Sequence, residues 1–272
     1  MGADTKSLRS RIKSVDSTLH LTKAMGLVAS SKIRRATDAM LKGREYAAAV
    51  SDAVRLLIAC PECRKSPYMQ GRDGGRTRLA VIAGDRGLAG GYNAGVFRLA
   101  KDYPDAEWIP IGKRACERYG GECRSSEAFS YAEARELSES LCLDFAAEEF
   151  DRFGIISTRY VSMMTQETQL TWVLPLERGE NRSPEQGEGP SVLFEPDEIT
   201  ILNAAVPEYV AGLLTAAVRE SFACEVAARR MAMDSAGKNA QQMIDGLQLA
   251  YNRARQGAIT QEITEIVAGS GT

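Results

Sequence analysis

Histidine is nearly missing: His20 is the only one in 272 residues. A Ser-His-Asp triad could run only through His20, and nothing near it suggests a strained nucleophile turn. No GxxxxGK[ST] phosphate loop is present either. The CPEC stretch (Cys60, Cys63) has zinc-ligand or redox spacing, but a structural zinc site wants four ligands and His20 sits on a distant helix. Its other reading is a helix-exit loop. No uncharged run approaches the roughly 18 residues that a bilayer span needs. The opening MGADTKSLRSRIK has no apolar h-region, and Lys6 stands where a myristoylation motif wants Ser or Thr. The expectation is a cytosolic chain whose six cysteines are reduced thiols. One absence is local: after Arg255 there is no Lys or Arg at all, and the chain closes on QGAITQEITEIVAGSGT.

What is present is globular in composition, with 44% apolar and 26% charged residues. The net charge of −2 hides an asymmetry. Residues 1–60 carry eleven Lys/Arg against five Asp/Glu, residues 61–205 seventeen against twenty-four, and residues 206–272 six against seven. Lys6, Arg9, Arg11, Lys13, Lys32, Arg34 and Arg35 thus form a basic arm on an acidic body. Such an arm suits nucleic acid, an anionic membrane, or acidic partner subunits.

The arm also carries a heptad. Alternating steps of four and three from Leu8 land on Ile12, Val15, Leu19, Thr22, Gly26, Ala29, Ile33, Ala36, Met40, Gly43, Ala47, Val50, Val54 and Leu57. All are apolar or small except Thr22, the signature of a left-handed coiled-coil strand. At 1.5 Å per residue this helix runs to roughly 75 Å, and Pro61 closes it. A second helix is expected to open at Pro207, where a missing N–H costs nothing. Its seam steps from Met233 through Ala236, Ala240, Met243, Leu247, Ala250 and Ala254 to Gly257. Both helices join one middle segment, so they should pair antiparallel, with Leu8 facing about residue 258 and the second helix overhanging the first. The expected divisions are 1–60, 61–205 and 206–272.

The middle segment alternates strand and helix. TRLAVIAG, AEWIPIG, GIISTRYVSMM and TQLTWVLPL read as strands. Helices fall near Asn93–Lys101, in KRACERYG, and in EARELSESLCLDFAAEEFDRF. That order argues for a small, mainly parallel sheet with helices on its faces. GDRGLAGGYN (Gly84–Asn93) could cradle an anion. However, its glycines are spaced wrongly for GxGxxG, and Asp85 would repel phosphate; a tight strand-to-helix turn fits better. An enzyme built on this segment would need an acid–base pair in a cleft.

RIKSVDSTLHLTKAMGLVASSKIRRA (Arg11–Ala36) resembles the N-terminal helix of the γ subunits of F-type ATP synthases. Ala227–Ser270 is similar to their C-terminal helix, with the I-T-x-E-x-x-E-x-x-x-G signature at Ile259, Thr260, Glu262, Glu265 and Gly269. GDRGLAGGYN and FEPDE resemble the family's central-domain motifs, so the likeness covers nearly the whole chain in order. Departures are Gly26 for Glu, Val226 for a polar residue, Gly237 for Thr or Ala, and Ser270 for Ala. The glycines imply a locally more compliant shaft.

The resemblance implies a long antiparallel coiled coil of the terminal helices with an inserted, Rossmann-like α/β domain. It implies a non-catalytic rotor shaft, one copy per α3β3 hexamer, with the ε subunit and membrane c-ring as further partners and the apolar sleeve of the hexamer around the tip. It also implies a peripheral position on the cytoplasmic face of the bacterial plasma membrane, no cofactor, and no nucleic acid or membrane insertion. Lys23, Met25, Arg255, Gln256, Thr260 and Glu262 match family contacts with α and β; Val192, Leu193 and Phe194 match the region meeting the c-ring and ε.

Overall fold

In the computed structural model, residues 2–72, 74–177 and 194–269 are described. The elements in chain order are α1 (Gly2–Ala59), two short 3-10 turns (Glu62–Lys65 and Pro67–Met69), β1 (Thr77–Ile82), α2 (Tyr92–Ala100), β2 (Glu107–Ile111), α3 (Lys113–Tyr119), α4 (Tyr131–Ala146), β3 (Arg152–Tyr160), β4 (Gln166–Leu174) and α5 (Glu198–Gly269). They form two compact units: residues 32–228, which hold the sheet, and residues 1–31 with 229–272, which hold the outer ends of α1 and α5.

In the sheet unit the strand order is β2-β1-β3-β4. β1 runs parallel to both β2 and β3, whereas β3 and β4 pair antiparallel. The sheet is therefore mixed, with its one antiparallel pairing at the β4 edge. The short β3–β4 link compels this, because a parallel return needs a crossover of a dozen residues or more. Side chains of β1 alternate between two cores. Leu79 and Val81 pack with Val96 and Ala100 of α2 and with Ala115 of α3. Ala80 and Ile82 face the larger core of Leu141 and Phe145 from α4, Leu202, Val210 and Leu214 from α5, and Val54 and Leu57 from α1. Gly112 (φ 96°) makes the turn from β2 into α3; a Cβ there would lie 1.9 Å from the Ala83 carbonyl oxygen.

α4 opens on a capping box, with Ser130 and Glu133 each bonding the other's backbone N–H. α5 begins nine residues earlier than the expected Pro207, which lies inside the helix. The start is set by Asp197 instead: its carboxylate accepts from the Thr200 N–H (2.9 Å) and hydroxyl (2.8 Å), an N-cap contact. α5 is long and apolar enough to cross a bilayer by length and composition, with a mean hydropathy of 1.5 over the best window. In its first half those apolar side chains are core: Val206, Val210, Ala211, Leu214 and Val218 are all buried. Close approach of α1 and α5 in this unit rests on glycines. A Cβ at Gly43 would stand 3.4 Å from the Ala216 Cα, and one at Gly212 would stand 3.0 Å from the Tyr46 ring.

In the other unit the same two helices meet through Val15, Leu19, Ala240 and Ile244. Gly26 lies against Met233 (3.7 Å) and Gly237 against Thr22 (3.6 Å), measured from built Cβ positions. Moving from 26 to 22 on α1 thus moves from 233 to 237 on α5, an antiparallel step. Every expected α1 seam position, Leu8 through Leu57, is buried or half-buried. On α5 the seam differs from expectation: Ile244 is 6% exposed and Met243 59%. Tyr251 and Ala258 are half-buried, whereas Ala250 and Gly257 are exposed. Met233, Ala240, Leu247 and Ala254 are common to both phases, which differ only in the order of the three- and four-residue steps. The register is also about one heptad from expectation: continued along α1, it sets Leu8 opposite about residue 251 rather than 258. Ile244→Ala should therefore cost about 2–5 kcal/mol in urea unfolding of the chain, against under about 0.5 kcal/mol for Met243→Ala. Equal costs would contradict this phase.

Candidate functional site

Two surfaces, one core-facing residue and a loop hold the described residues singled out from sequence. Lys23 is exposed on α1, two positions from the half-buried Met25. Arg255, Gln256, Thr260 and Glu262 are all exposed near the end of α5. At the observed register Lys23 lies level with about residue 236, so the Lys23 and Arg255 groups stand roughly 28 Å apart along the helices. They are two sites, not one. Within the second, the Thr260 hydroxyl donates to the Gln256 carbonyl (2.9 Å) and Thr264 repeats the bond to Thr260 (2.8 Å), fixing a short polar row along one side. Phe194 packs half-buried against the large core of the sheet unit. Val192 and Leu193 lie outside the described residues.

Among the described residues, the end of α5 is the one long run without burial. From Arg255 to Gly269 every residue but Ala258 is exposed, including Ile259 (43%), Ile263 (56%), Ile266 (70%) and Val267 (65%). Continued register brings Gly2 level with about residue 257, so some 18 Å of helix has no α1 beside it. Isoleucines at 259, 263 and 266 with Val267 form an apolar stripe at helical spacing, on a stretch whose only charges after Arg255 are Glu262 and Glu265. Such a stripe marks a surface built to be covered.

The Gly84–Asn93 loop follows β1, at the strand ends where α/β sheets bind ligands. Its carboxylate serves another purpose. Asp85 accepts from the Lys113 N–H (3.0 Å), the Ser126 N–H (3.1 Å), the Glu127 N–H (2.9 Å) and the Ser125 hydroxyl (2.6 Å). Burial would raise the Asp85 pKa, but the hydrogen bonds from Ser125, Glu127, Lys113 and Ser126 outweigh it and hold the acid below the usual carboxylate value. The buried Glu225 closes the other side: a Cβ at Gly84 would lie 2.7 Å from its carboxyl carbon. The ionised Asp85 at the turn opposes an anion, and Glu225 fills the space beside Gly84.

The segment that Asp85 shapes reaches α1, since Glu127 pairs with Lys32. A second clasp joins α1, α5 and the sheet. Arg44 donates to Glu220 (2.6 and 3.3 Å) and to the Tyr160 carbonyl (2.8 Å), and Glu220 accepts from the Tyr160 N–H (2.7 Å). The hydrogen bond to Glu220 outweighs burial and raises the Arg44 pKa further. Sequence reading passed over both clasps. Partners 95 and 176 residues apart leave no local signal.

The described residues thus form two long helices shared between an α/β sheet unit and a helix-pair unit, with an apolar end exposed on α5. Among the described residues no group of three or more His, Cys, Asp or Glu could hold a metal ion. The family model described as ATP synthase matches residues 4–272. The chain is 38% identical to the ATP synthase gamma chain of Ruminococcus albus, over 98% of each. It is 33% identical, over 99% of each, to a protein of Acetobacterium woodii named ATP synthase gamma chain, sodium ion specific. A chain in the cryo-EM structure of the Euglena gracilis mitochondrial ATP synthase (OSCP/F1/c-ring) matches it with a TM-score of 0.67 at 18% identity, covering 98% of this chain and 94% of that one. The chain belongs to the ATP synthase gamma-chain family.

The Asp85 cradle has a pH signature. Its folded pKa is lowered, so its contribution to stability is complete above the unfolded value near about 4 and is lost as pH falls through the folded value. Asp85→Asn should lower stability at pH 7 by about 1–2 kcal/mol, partial exposure keeping the loss modest. The gap from wild type should shrink as the pH is lowered from about 5 to about 3, read from urea midpoints. A gap independent of pH would contradict the carboxylate's role.

Proposed function

We propose that this chain is the central rotor shaft of the F1 part of a bacterial-type F-type ATP synthase. One copy stands within an α3β3 hexamer, with its sheet domain toward the membrane c-ring and the ε subunit. The terminal helices α1 and α5 form a left-handed antiparallel coiled coil, and the residues between them are the inserted domain. The ATP-handling sites belong to the partner β subunits, and the chain makes and breaks no bond. It is a peripheral component on the cytoplasmic face of the plasma membrane.

The observation that carries this reading is the end of α5. A bare apolar helix without cations needs a wall, and an apolar collar of six subunits supplies one. A tip that must turn gains from lacking charged or interlocking groups that would favour one angle. Turning then couples to chemistry through surfaces lower down, where each β site is shifted only by the difference in contact free energy between faces of the shaft. Charged side chains suit this, because charge complementarity fixes orientation. Lys23, Arg255, Gln256, Thr260 and Glu262 are exposed as such contacts require, and Met25 is partly available. Val192, Leu193 and Phe194 are assigned to the c-ring and ε interface on family resemblance.

Co-expression with α and β subunits tests this directly: one copy should enter each hexamer. Lys23 and Arg255 are exposed, so Lys23→Glu and Arg255→Glu should leave the melting temperature of the isolated chain within about 2 °C of wild type. In the reconstituted complex each should lower coupled ATP synthesis severalfold or weaken assembly. Wild-type rates in both reversals would remove the site assignment, and no entry into the hexamer would remove the function.

A further inference from the structure

β1 pairs with β3 only as far as Val81 opposite Ile156, whereas β3 runs four residues further, to Tyr160. Along that overrun β4 still lines one edge, with Thr168 opposite Thr158 and Gln166 opposite Tyr160. Among the described residues the other edge has no strand beside it. Alternate residues of an antiparallel strand turn both backbone groups away from the partner. A buried N–H or C=O left there without a partner costs as much as a lost hydrogen bond.

The long helices supply what β1 does not. The Thr158 N–H donates to the Ser221 hydroxyl (3.1 Å), and the Thr158 carbonyl accepts from the Cys224 thiol (3.4 Å). Two residues on, the Tyr160 N–H donates to Glu220 Oε1 (2.7 Å), and the Tyr160 carbonyl accepts from Arg44 (2.8 Å). All four outward backbone groups of Thr158 and Tyr160 are thereby met, three by side chains on about one turn of α5 and one from α1. Arg44 also donates to Glu220 Oε1 (2.6 Å) and Oε2 (3.3 Å), so the carboxylate that holds Tyr160 is itself held. Thr158, Ser221 and Cys224 are buried, and the Glu220 side chain is only 16% exposed.

We propose that this stitched end of β3 is the joint through which twist passes between the sheet and the two long helices, with Arg44, Glu220 and Ser221 as its positioning residues. The inference rests on the rotor reading above. Apolar packing is non-directional, so the large core under the sheet sets the distance of the helices more than their angle. Hydrogen bonds weaken steeply when misaligned. Two pairs of them, about 7 Å apart along the strand, oppose rolling of α5 against the sheet. Such a joint matters under load: a shaft that turns freely asks little of it, whereas one that drives ion transport passes its torque through it.

The experiment uses the complete synthase in vesicles and reads ions transported per ATP hydrolysed. Glu220→Ala and Arg44→Ala should keep hydrolysis near the wild-type rate and lower that ratio severalfold. Glu220→Gln, whose side-chain oxygen still accepts from the Tyr160 N–H, should recover most of it. Where Glu220→Ala fails to assemble, Ser221→Ala, which removes one stitch and no charge, is read in its place and should lower the ratio by a smaller factor. In the isolated chain, exchange of the Tyr160 amide should quicken severalfold in Glu220→Ala and not in Glu220→Gln. A wild-type ratio in the alanine variants would overturn the joint, as would hydrolysis and transport falling in equal proportion or a Gln variant no better than Ala. Unchanged Tyr160 exchange in Glu220→Ala would remove the stitch by itself, whereas a wild-type chain that enters no hexamer would remove the rotor reading and leave the exchange result standing.

Discussion

Close contact between α1 and α5 is the constraint on which the rest depends. Two helices can approach this nearly only where small side chains face each other. In the sheet unit this is done by Gly43 over Ala216 and Gly212 under the Tyr46 ring. Added bulk would be tight: a methyl at Gly212 would press at 3.0 Å on an aromatic carbon of Tyr46, so the ring would have to shift. Gly26 and Gly237 are different, because a methyl at either would find ordinary contact, 3.7 and 3.6 Å from its nearest neighbour. Packing does not demand glycine there, so the backbone freedom these residues add to the helix pair is unforced. The same small-residue logic decides the faces left over. Once Leu19, Ala240 and Ile244 are committed to the seam, Lys23 turns outward.

The polar clasps convert that seam into a joined body. Arg44, Glu220 and the backbone of Tyr160 tie both long helices to the end of β3, and each group's charge or hydrogen-bonding capacity is met by the others. Half-buried charges held this way are costly to separate, since either partner left alone would be unsatisfied. Asp85 plays a comparable part at the end of β1. A loop whose glycines suggest a ligand cradle is instead closed by its own carboxylate and by Glu225, so the sheet's ligand-prone edge serves as a joint.

Much of this was legible in the residues. The α1 heptad was readable because it is long and nearly free of exceptions, and every one of its positions is withdrawn from solvent. The sheet strands stood out as apolar runs between turn residues. In the fold three things were not legible, each for a physical reason. On α5, Ala and Gly surround both possible seams, so Met243 and Ile244 compete on pattern alone; packing prefers the branched Ile244. The helix start was misplaced because Pro207 is tolerated inside a helix buried among neighbours, while the true signal, Asp197 followed by Thr200, is short and local. The register error followed from that start, since counting from a late origin shifts the pairing by about one heptad. At the candidate sites, exposure of Lys23 follows from the heptad, and that of the α5 end from the overhang of α5 past α1. The contacts through Glu127 and Glu220 span distant segments and could not be read.

The rotor role proposed for this chain presupposes one fixed pairing of α1 with α5. Spin labels at the exposed positions Ser17 and Gln242 measure that pairing, against a second pair at Ser17 and Leu249. The observed register predicts a short, narrow distance distribution for Ser17–Gln242 and a longer one for Ser17–Leu249, which lies roughly 10 Å further along the helix axis. A shorter distance to Leu249, or broad distributions for both, would contradict the account.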